Sequence, residues 1–171
     1  MTPQSVFIFC PKCSGDFLRS KEDIYVLICK ECHFKFYINP APAVDCIIEN
    51  TKEEILLIRR KFEPAKNKLD VPGGFVEPYE DMKDALIREL QEELHITCNE
   101  FSFLDGFYDT YLYEGLTKPV LRMFYTARIE SEELIVDDDV SDYLFFPKER
   151  ILKQQFAFES TTRAIKKFLY V

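Results

Sequence analysis

The stretch from Gly73 to Ile96, GGFVEPYEDMKDALIRELQEELHI, sets seven acidic residues behind a pair of adjacent glycines, and no other segment narrows so sharply what this chain can become. From Glu80 to Leu94 the apolar residues Met82, Leu86, Leu90 and Leu94 return every fourth position, the period of a helix that packs along one stripe. Glu89, Glu92 and Glu93 stand at i, i+3 and i+4, so the same helix gathers their carboxylates on another face. Like charges at that spacing repel. A solvated face would relieve the repulsion more cheaply by mixing in lysines, whereas a hard divalent cation that takes oxygen ligands and shares its shell with phosphates gives the cluster a purpose. For the three glutamates alone an exposed acidic helix is the simpler account, and the surrounding residues are what favour the metal.

The flanking sequence reads as strands and turns. Ala43–Ile48 and Glu54–Arg59 are β-branched or leucine-rich runs separated by the turn Glu49–Glu53, and Lys68–Val71 is a short third strand leading into Pro72-Gly73-Gly74. Phe101–Tyr113 and Lys118–Ile129 form two longer strands around a turn at Glu114-Gly115. In the second of these, Leu121, Met123, Tyr125, Ala127 and Ile129 alternate with a set that includes Arg122, so one apolar face and one mixed face are expected. A last strand falls near Asp142–Phe146, and Ser160 opens a terminal helix with Ala164, Ile165, Phe168 and Leu169 as its buried stripe. With 171 residues, 47% of them hydrophobic, the chain fits one ordinary domain and a small appendage.

The appendage is announced by cysteines. Cys10-Pro-Lys-Cys13 is followed after fifteen residues by Cys29-Lys-Glu-Cys32, the paired spacing of a four-thiolate zinc site. A strand at Ile24–Ile28 would bring the two knuckles together into a zinc ribbon with a structural Zn2+. Redox dithiols or disulfides are the competing account, disfavoured because such bonds are rare in the cytosol. Cys46 and Cys98 fall outside the pattern and are expected to be small buried residues; His33 is expected on the ribbon surface. Tyr37-Ile-Asn-Pro-Ala-Pro then breaks regular structure, giving a ribbon at 1–38 and a larger domain at 39–171. No apolar run approaches the ~20 residues of a membrane helix, and the opening residues lack the basic start and apolar core of a secretory leader, so a cytoplasmic protein without a membrane partner is expected.

Laid against G-x5-E-x7-R-E-U-x-E-E-x-G-U, where U is a bulky apolar residue, the opening stretch supplies Gly74, Glu80, Arg88, Glu89, Leu90, Glu92, Glu93 and Ile96, eight of the nine fixed positions. It resembles the Nudix box. The departure is His95, where the family has glycine, and a histidine enters the left-handed helix cap only with strain. A four-cysteine ribbon, an aromatic-Ile-Asn-Pro link and then the box make the chain similar to the zinc-ribbon branch of the Nudix hydrolases, which includes NADH, FAD and ADP-ribose pyrophosphatases. The resemblance implies an α/β fold, an α/β/α sandwich with a small N-terminal zinc ribbon. It further implies Mg2+ or Mn2+ held by the Gly73 carbonyl, Glu89 and Glu93, with Glu92 joining when more than one ion binds. A later acidic ligand falls at Asp142, one methylene shorter than the family's glutamate. Arg88 is implied to hold a neighbouring carboxylate in place, and Glu80, beside the positive helix end, to be structural. Metal ions would neutralise the guarded oxygens of a pyrophosphate and activate the attacking water, whose proton Glu92 or Glu89 would take.

The NADH-cleaving members carry Ser-Gln-Pro-Trp-Pro-Phe-Pro after the box. This chain has no Trp, and its Gln155-Phe-Ala-Phe-Glu-Ser160 is more similar to the tail of the FAD and ADP-ribose cleaving members. Hydrolysis of ADP-ribose or FAD with release of AMP is therefore expected. Tyr108, Tyr111, Phe156 and Phe158 are candidates to stack on the base, although core packing is the commoner fate of any one such ring, and Arg122 is a candidate for a phosphate or for a surface salt bridge. The alternatives are a pyrophosphatase of NADH, NAD-capped RNA or nucleoside triphosphates, and a catalytically silent module that senses a nucleotide. The complete Arg-Glu-Leu-x-Glu-Glu core favours an enzyme, because a sensor has no use for every carboxylate. Bulk nucleic-acid binding is disfavoured by the net charge of -8, and in the ribbon Lys21 and its basic neighbours are offset by Glu22, Asp23 and others. Monomer and homodimer both stay open.

Overall fold

The computed structural model describes residues 1–19, 25–131 and 133–170. Ile24, at the start of the expected ribbon strand, and Lys21, Glu22 and Asp23 on its expected surface lie outside the described residues. The chain groups into two compact units, Met1–Ala41 with Thr110–Pro119, and Pro42–Asp109 with Val120–Val171.

The first unit holds a single helical turn, α1 (Pro3–Val6), and three short strands, β1 (Phe17–Arg19), β2 (Val26–Cys29) and β3 (Lys35–Tyr37). They form an antiparallel sheet in the order β1-β2-β3. Its buried residues are Cys10, Phe17, Leu27 and Cys29, with Phe34, Phe36 and Ile38 packed against them. Each Cys-x-x-Cys folds in the same way: the residue after the second cysteine, Ser14 or His33, takes a left-handed conformation (φ 62° and 56°). Its amide reaches back to the carbonyl of the first cysteine, at 2.8 Å for Ser14 and 3.2 Å for His33. His33 is exposed, as expected.

The second unit is built on a seven-stranded sheet. In chain order come β4 (Ala41–Glu49), β5 (Glu54–Arg60), β6 (Leu69–Asp70), β7 (Gly73–Phe75), α2 (Met82–Leu94), β8 (Ser102–Tyr113), β9 (Leu116–Arg128), β10 (Val140–Pro147), the turn α3 (Lys148–Ile151) and α4 (Glu159–Tyr170). The strand order is β10-β5-β4-β9-β8, with β6 paired to β5 and β7 to β4. Strand alternation sorts the apolar residues into two layers. Val44, Cys46, Ile48, Leu56, Ile58, Tyr125 and Ala127 meet Ala85, Leu86, Leu90 and Leu94 of α2. Ile47, Ile55, Leu57 and Phe124 meet Ala164 and Ile165 of α4. The result is an α/β/α sandwich.

Three local expectations change. Pro42 does not stop the chain from entering a strand, because β4 takes it in near its start, where a missing N–H is tolerated, and its carbonyl accepts Val76 N at 3.1 Å. Helix α2 begins at Met82 with Asp81 as its N-cap, so Glu80 lies just before the helix and Met82 is exposed; the buried stripe starts at Ala85 and Leu86. The mixed face of β9 is not left to solvent: α4 covers it, and both Arg122 and Phe124 are buried.

Candidate active site

The centre of the site is the contact between the glycine turn and α2. Gly73 has φ +138°, a conformation closed to other residues, and a β-carbon there would drive into the backbone of Val44 and Asp45. This close approach lets Gly73 N donate to Glu93 Oε2 at 2.9 Å. At Gly74 a β-carbon would overlap the Glu89 carboxylate. The two glycines thus admit two carboxylates against the backbone.

Arg88 organises the rest. Its Nε and Nη2 fork onto the two oxygens of Glu80 at 2.9 and 3.0 Å, while Nη1 donates to Glu89 Oε1 at 2.9 Å and Glu92 Oε2 at 3.0 Å. Nη2 also reaches the Phe75 carbonyl at 3.0 Å. One planar cation therefore ties the pre-helix turn, the helix and β7 into a fixed frame. Glu80 and Arg88 act as that frame, and the Glu80 carboxyl is held below its ordinary range by the Arg88 hydrogen bond and the Glu77 amide.

The electrostatics of the enclosed carboxylates run the other way. Glu93 is 4% exposed, and burial pushes its carboxyl well up, against the pull of the Gly73 amide and with further upward pressure from Glu89, Asp45 and Asp70. Burial also raises Glu89, countered by Arg88 and reinforced by Glu92 and Asp138. Carboxylates gathered where they resist ionising are a fitting set for a hard divalent cation, which restores the missing positive charge through oxygen ligands alone.

The remaining expected residues scatter. Asp142 is exposed on β10, opposite Arg59 in the register, and its Oδ1 accepts the neighbouring Tyr143 amide at 2.9 Å. From the loop before β10, Asp138 adds to the field on Glu89 and is itself raised, by burial first and then by Asp139 and Glu92. Its loop is anchored by Asp137 N donating to the Glu93 carbonyl at 2.9 Å. Arg122 is neither on the surface nor turned to a phosphate site; it is 7% exposed and bonded to Asp45, Asp70, Ser160 and Thr161. Phe156 is half-buried and bridges Leu69. The Phe158 ring lies under two guanidiniums, Arg122 at 4.9 Å and Arg60 at 5.3 Å. Tyr108 is exposed in the second unit, whereas Tyr111 belongs to the first.

In the first unit the sulfurs of Cys10, Cys13, Cys29 and Cys32 lie within 4.8 Å of one another, with Cys13–Cys29 at 3.4 Å and Cys10–Cys32 at 3.8 Å. Zn–S bonds of about 2.3 Å give tetrahedral S–S edges of about 3.8 Å, so the donor set fits zinc. The Cys32 amide, ahead of the Glu31 amide, lowers the Cys29 thiol to about 7 despite its burial.

A helix-covered sheet that sets a glycine turn against an Arg-braced group of carboxylates offers oxygen ligands suited to a hard divalent cation and, through it, to phosphate oxygens. The family model described as NUDIX domain matches residues 39–167, and the chain belongs to that family. It is a Nudix pyrophosphatase, of a family that generally uses Mg2+ or Mn2+. It is 34% identical over 126 residues to the ADP-ribose pyrophosphatase of Methanocaldococcus jannaschii, covering 74% of this chain and 73% of that one. It is 31% identical over 98 residues to an NAD-capped RNA hydrolase NudC of Pectobacterium atrosepticum, covering 57% of this chain and 36% of that one. Among solved structures, a NUDIX hydrolase from Nitrosomonas europaea superimposes with a TM-score of 0.70 at 23% identity, covering 95% of this chain and 90% of that one. None of the described helices is long and apolar enough to cross a membrane.

Proposed function

We propose that the protein hydrolyses the pyrophosphate of an adenine nucleotide with a bulky second half, ADP-ribose or FAD, releasing AMP. The observation that carries this reading is the buried Glu93, held by Gly73 N beside Glu89 and Glu92, which Arg88 fixes in place. Glu93, Glu89, Glu92 and the Gly73 carbonyl would hold Mg2+ or Mn2+, with the loop acid supplied by Asp138 ahead of Asp142. When bound, the ion supplies neutralisation of the pyrophosphate oxygens and a more acidic attacking water. Arg88 keeps the carboxylates from spreading as the substrate arrives. Glu92, the most exposed of the three helix glutamates, takes the proton of the water. Attack at either phosphorus breaks the link between the two phosphoryl groups, so ADP-ribose gives AMP and ribose 5-phosphate.

Two observations favour ADP-ribose or FAD over NADH: the similarity to an ADP-ribose pyrophosphatase extends over most of both chains, and this chain has no Trp for the NADH motif. The first unit is a structural zinc ribbon in the same reading, with a boundary near residue 38. Side-by-side specificity constants for ADP-ribose, FAD, NADH and dGTP with Mg2+ and with Mn2+ test the substrate. ADP-ribose or FAD should lead; NADH or dGTP ahead by about tenfold, a difference of 1.4 kcal/mol in transition-state stabilisation, would overturn it.

A further inference from the structure

Arg122 is the most enclosed cation of the second unit's described residues, and its partners lie directly behind the glycine turn. Its Nε donates to Asp45 Oδ2 at 2.9 Å and Nη2 to Asp45 Oδ1. The same Nη2 lies 3.3 and 3.4 Å from the two oxygens of Asp70. Nη1 donates to Ser160 Oγ at 3.2 Å and Thr161 Oγ1 at 2.9 Å. Thr161 Oγ1 passes the chain on to Asp70 Oδ1 at 2.6 Å, and Asp109 Oδ2 accepts Ser160 N at 2.9 Å. Asp45 and Asp70 are 2% and 1% exposed, and Ser160 and Thr161 are fully buried. Among the described residues no buried side-chain polar atom is left without a partner.

Burying two carboxylates around one guanidinium is a poor way to gain stability, since apolar residues of the same volume do as well or better. Its placement suggests another use. Asp45 on β4 is the register partner of Gly73, and the neighbouring Cys46 N donates to the Pro72 carbonyl at 2.9 Å. Asp70 closes β6, accepts Val71 N at 3.0 Å and leads through Pro72 into Gly73. Both segments that hold Gly73 are therefore tied to one side chain, and Gly73 N is the anchor of Glu93.

We propose that Arg122 is a positioning residue of the metal site: by forking onto Asp45 and Asp70 it clamps the two segments that flank Gly73, fixes the Gly73–Glu93 contact and sets metal affinity without touching substrate. This rests on the reading of Glu93 as a metal ligand. Phe158, stacked on the same guanidinium, closes the cluster from the side of α4.

The test uses Mn2+ binding to the full chain by electron paramagnetic resonance, beside kcat, KM for ADP-ribose at saturating metal, and thermal melts. The variants are Arg122→Lys, Arg122→Met, and Arg122→Met combined with Asp45→Asn and Asp70→Asn. Arg122→Lys keeps the charge and loses the fork, and should fold while binding Mn2+ about tenfold or more weakly, the scale of residues that orient metal ligands. Its kcat should fall with KM little changed. The combined variant should bind Mn2+ no more tightly than Arg122→Met, because the fork is missing from both and two acids that attract the cation are gone; tighter binding would assign the effect to charge rather than to the clamp and overturn the proposal. Should the arginine variants fail to fold, Thr161→Val removes one bond each to Arg122 and Asp70 and should still weaken Mn2+ by about fivefold. A folded Arg122→Lys, or in its place a folded Thr161→Val, with wild-type Mn2+ affinity overturns the proposal, as does a raised KM with unchanged kcat. Wild-type protein that binds no Mn2+, or a Glu93→Gln variant that binds it normally, instead removes the metal-site reading beneath it.

Discussion

His95 shows how one residue can carry two opposed terms. It closes α2 in the left-handed conformation, φ 55° and ψ 28°, and its own amide returns to the Gln91 carbonyl at 3.1 Å in the manner of an αL cap. A side chain in that conformation costs roughly 1 kcal/mol relative to glycine. Its Nε2 lies 3.6 Å from Asp137 Oδ2, but the two side chains are 42% and 68% exposed, and solvent screens so open a pair. The backbone term should win. His95→Gly is expected to raise the melting temperature by about 2 to 4 °C, and an unchanged or lowered midpoint in a thermal melt would show that the Asp137 contact outweighs the strain. At this scale the sequence marks the box carboxylates and the odd histidine plainly, because their spacing alone defines them. It hides Arg122, since alternation along β9 separates two faces without saying what covers the second, and the cover is the distant helix α4.

Elements differ in the same respect. Helices α2 and α4 and strands β4, β5 and β9 are long enough for periodicity to speak, and their expected limits fall within two residues of the observed ones. The three-residue strands β1, β3 and β7 have no period to read; tertiary contacts create them, as the approach of Gly73 to Asp45 creates β7. The start of α2 lies where the backbone leaves the extended conformation of Asp81, a change that the apolar period does not mark. The sheet β1-β2-β3 is too small to be held by Phe17, Leu27 and their neighbours alone. Apparent zinc-binding energies of about 10 to 16 kcal/mol identify what should hold it. Protein purified without chelator is expected to carry one zinc per chain by elemental analysis, and its removal should melt the first unit while the far-ultraviolet signal of the sandwich persists. Finding no zinc would remove the ribbon reading, and simultaneous loss of both units would show that the sandwich depends on it.

For the whole molecule the dominant quantity is charge. At -8 the protein repels an anionic pyrophosphate, and Glu93, only 4% exposed, brings a buried carboxyl group to the site. A cation that binds the folded chain alone should therefore stabilise it, by about 2.7 kcal/mol at a hundred times its Kd. In Glu93→Gln the amide oxygen can still accept Gly73 N, so the variant should melt no lower than wild type without metal, show a much smaller Mn2+-dependent gain, and turn over about a hundredfold or more slowly. Equal Mn2+-dependent shifts in the two proteins would deny Glu93 a place in the shell. The division into units has its own consequence. Thr110–Pro119 groups with Met1–Ala41, yet the four cysteines and the whole β1-β2-β3 sheet are contiguous in the sequence ahead of β4. A zinc ion captured there needs no strand of the sandwich, so the thiols can be taken out of reach of oxidants while the sandwich is still being made.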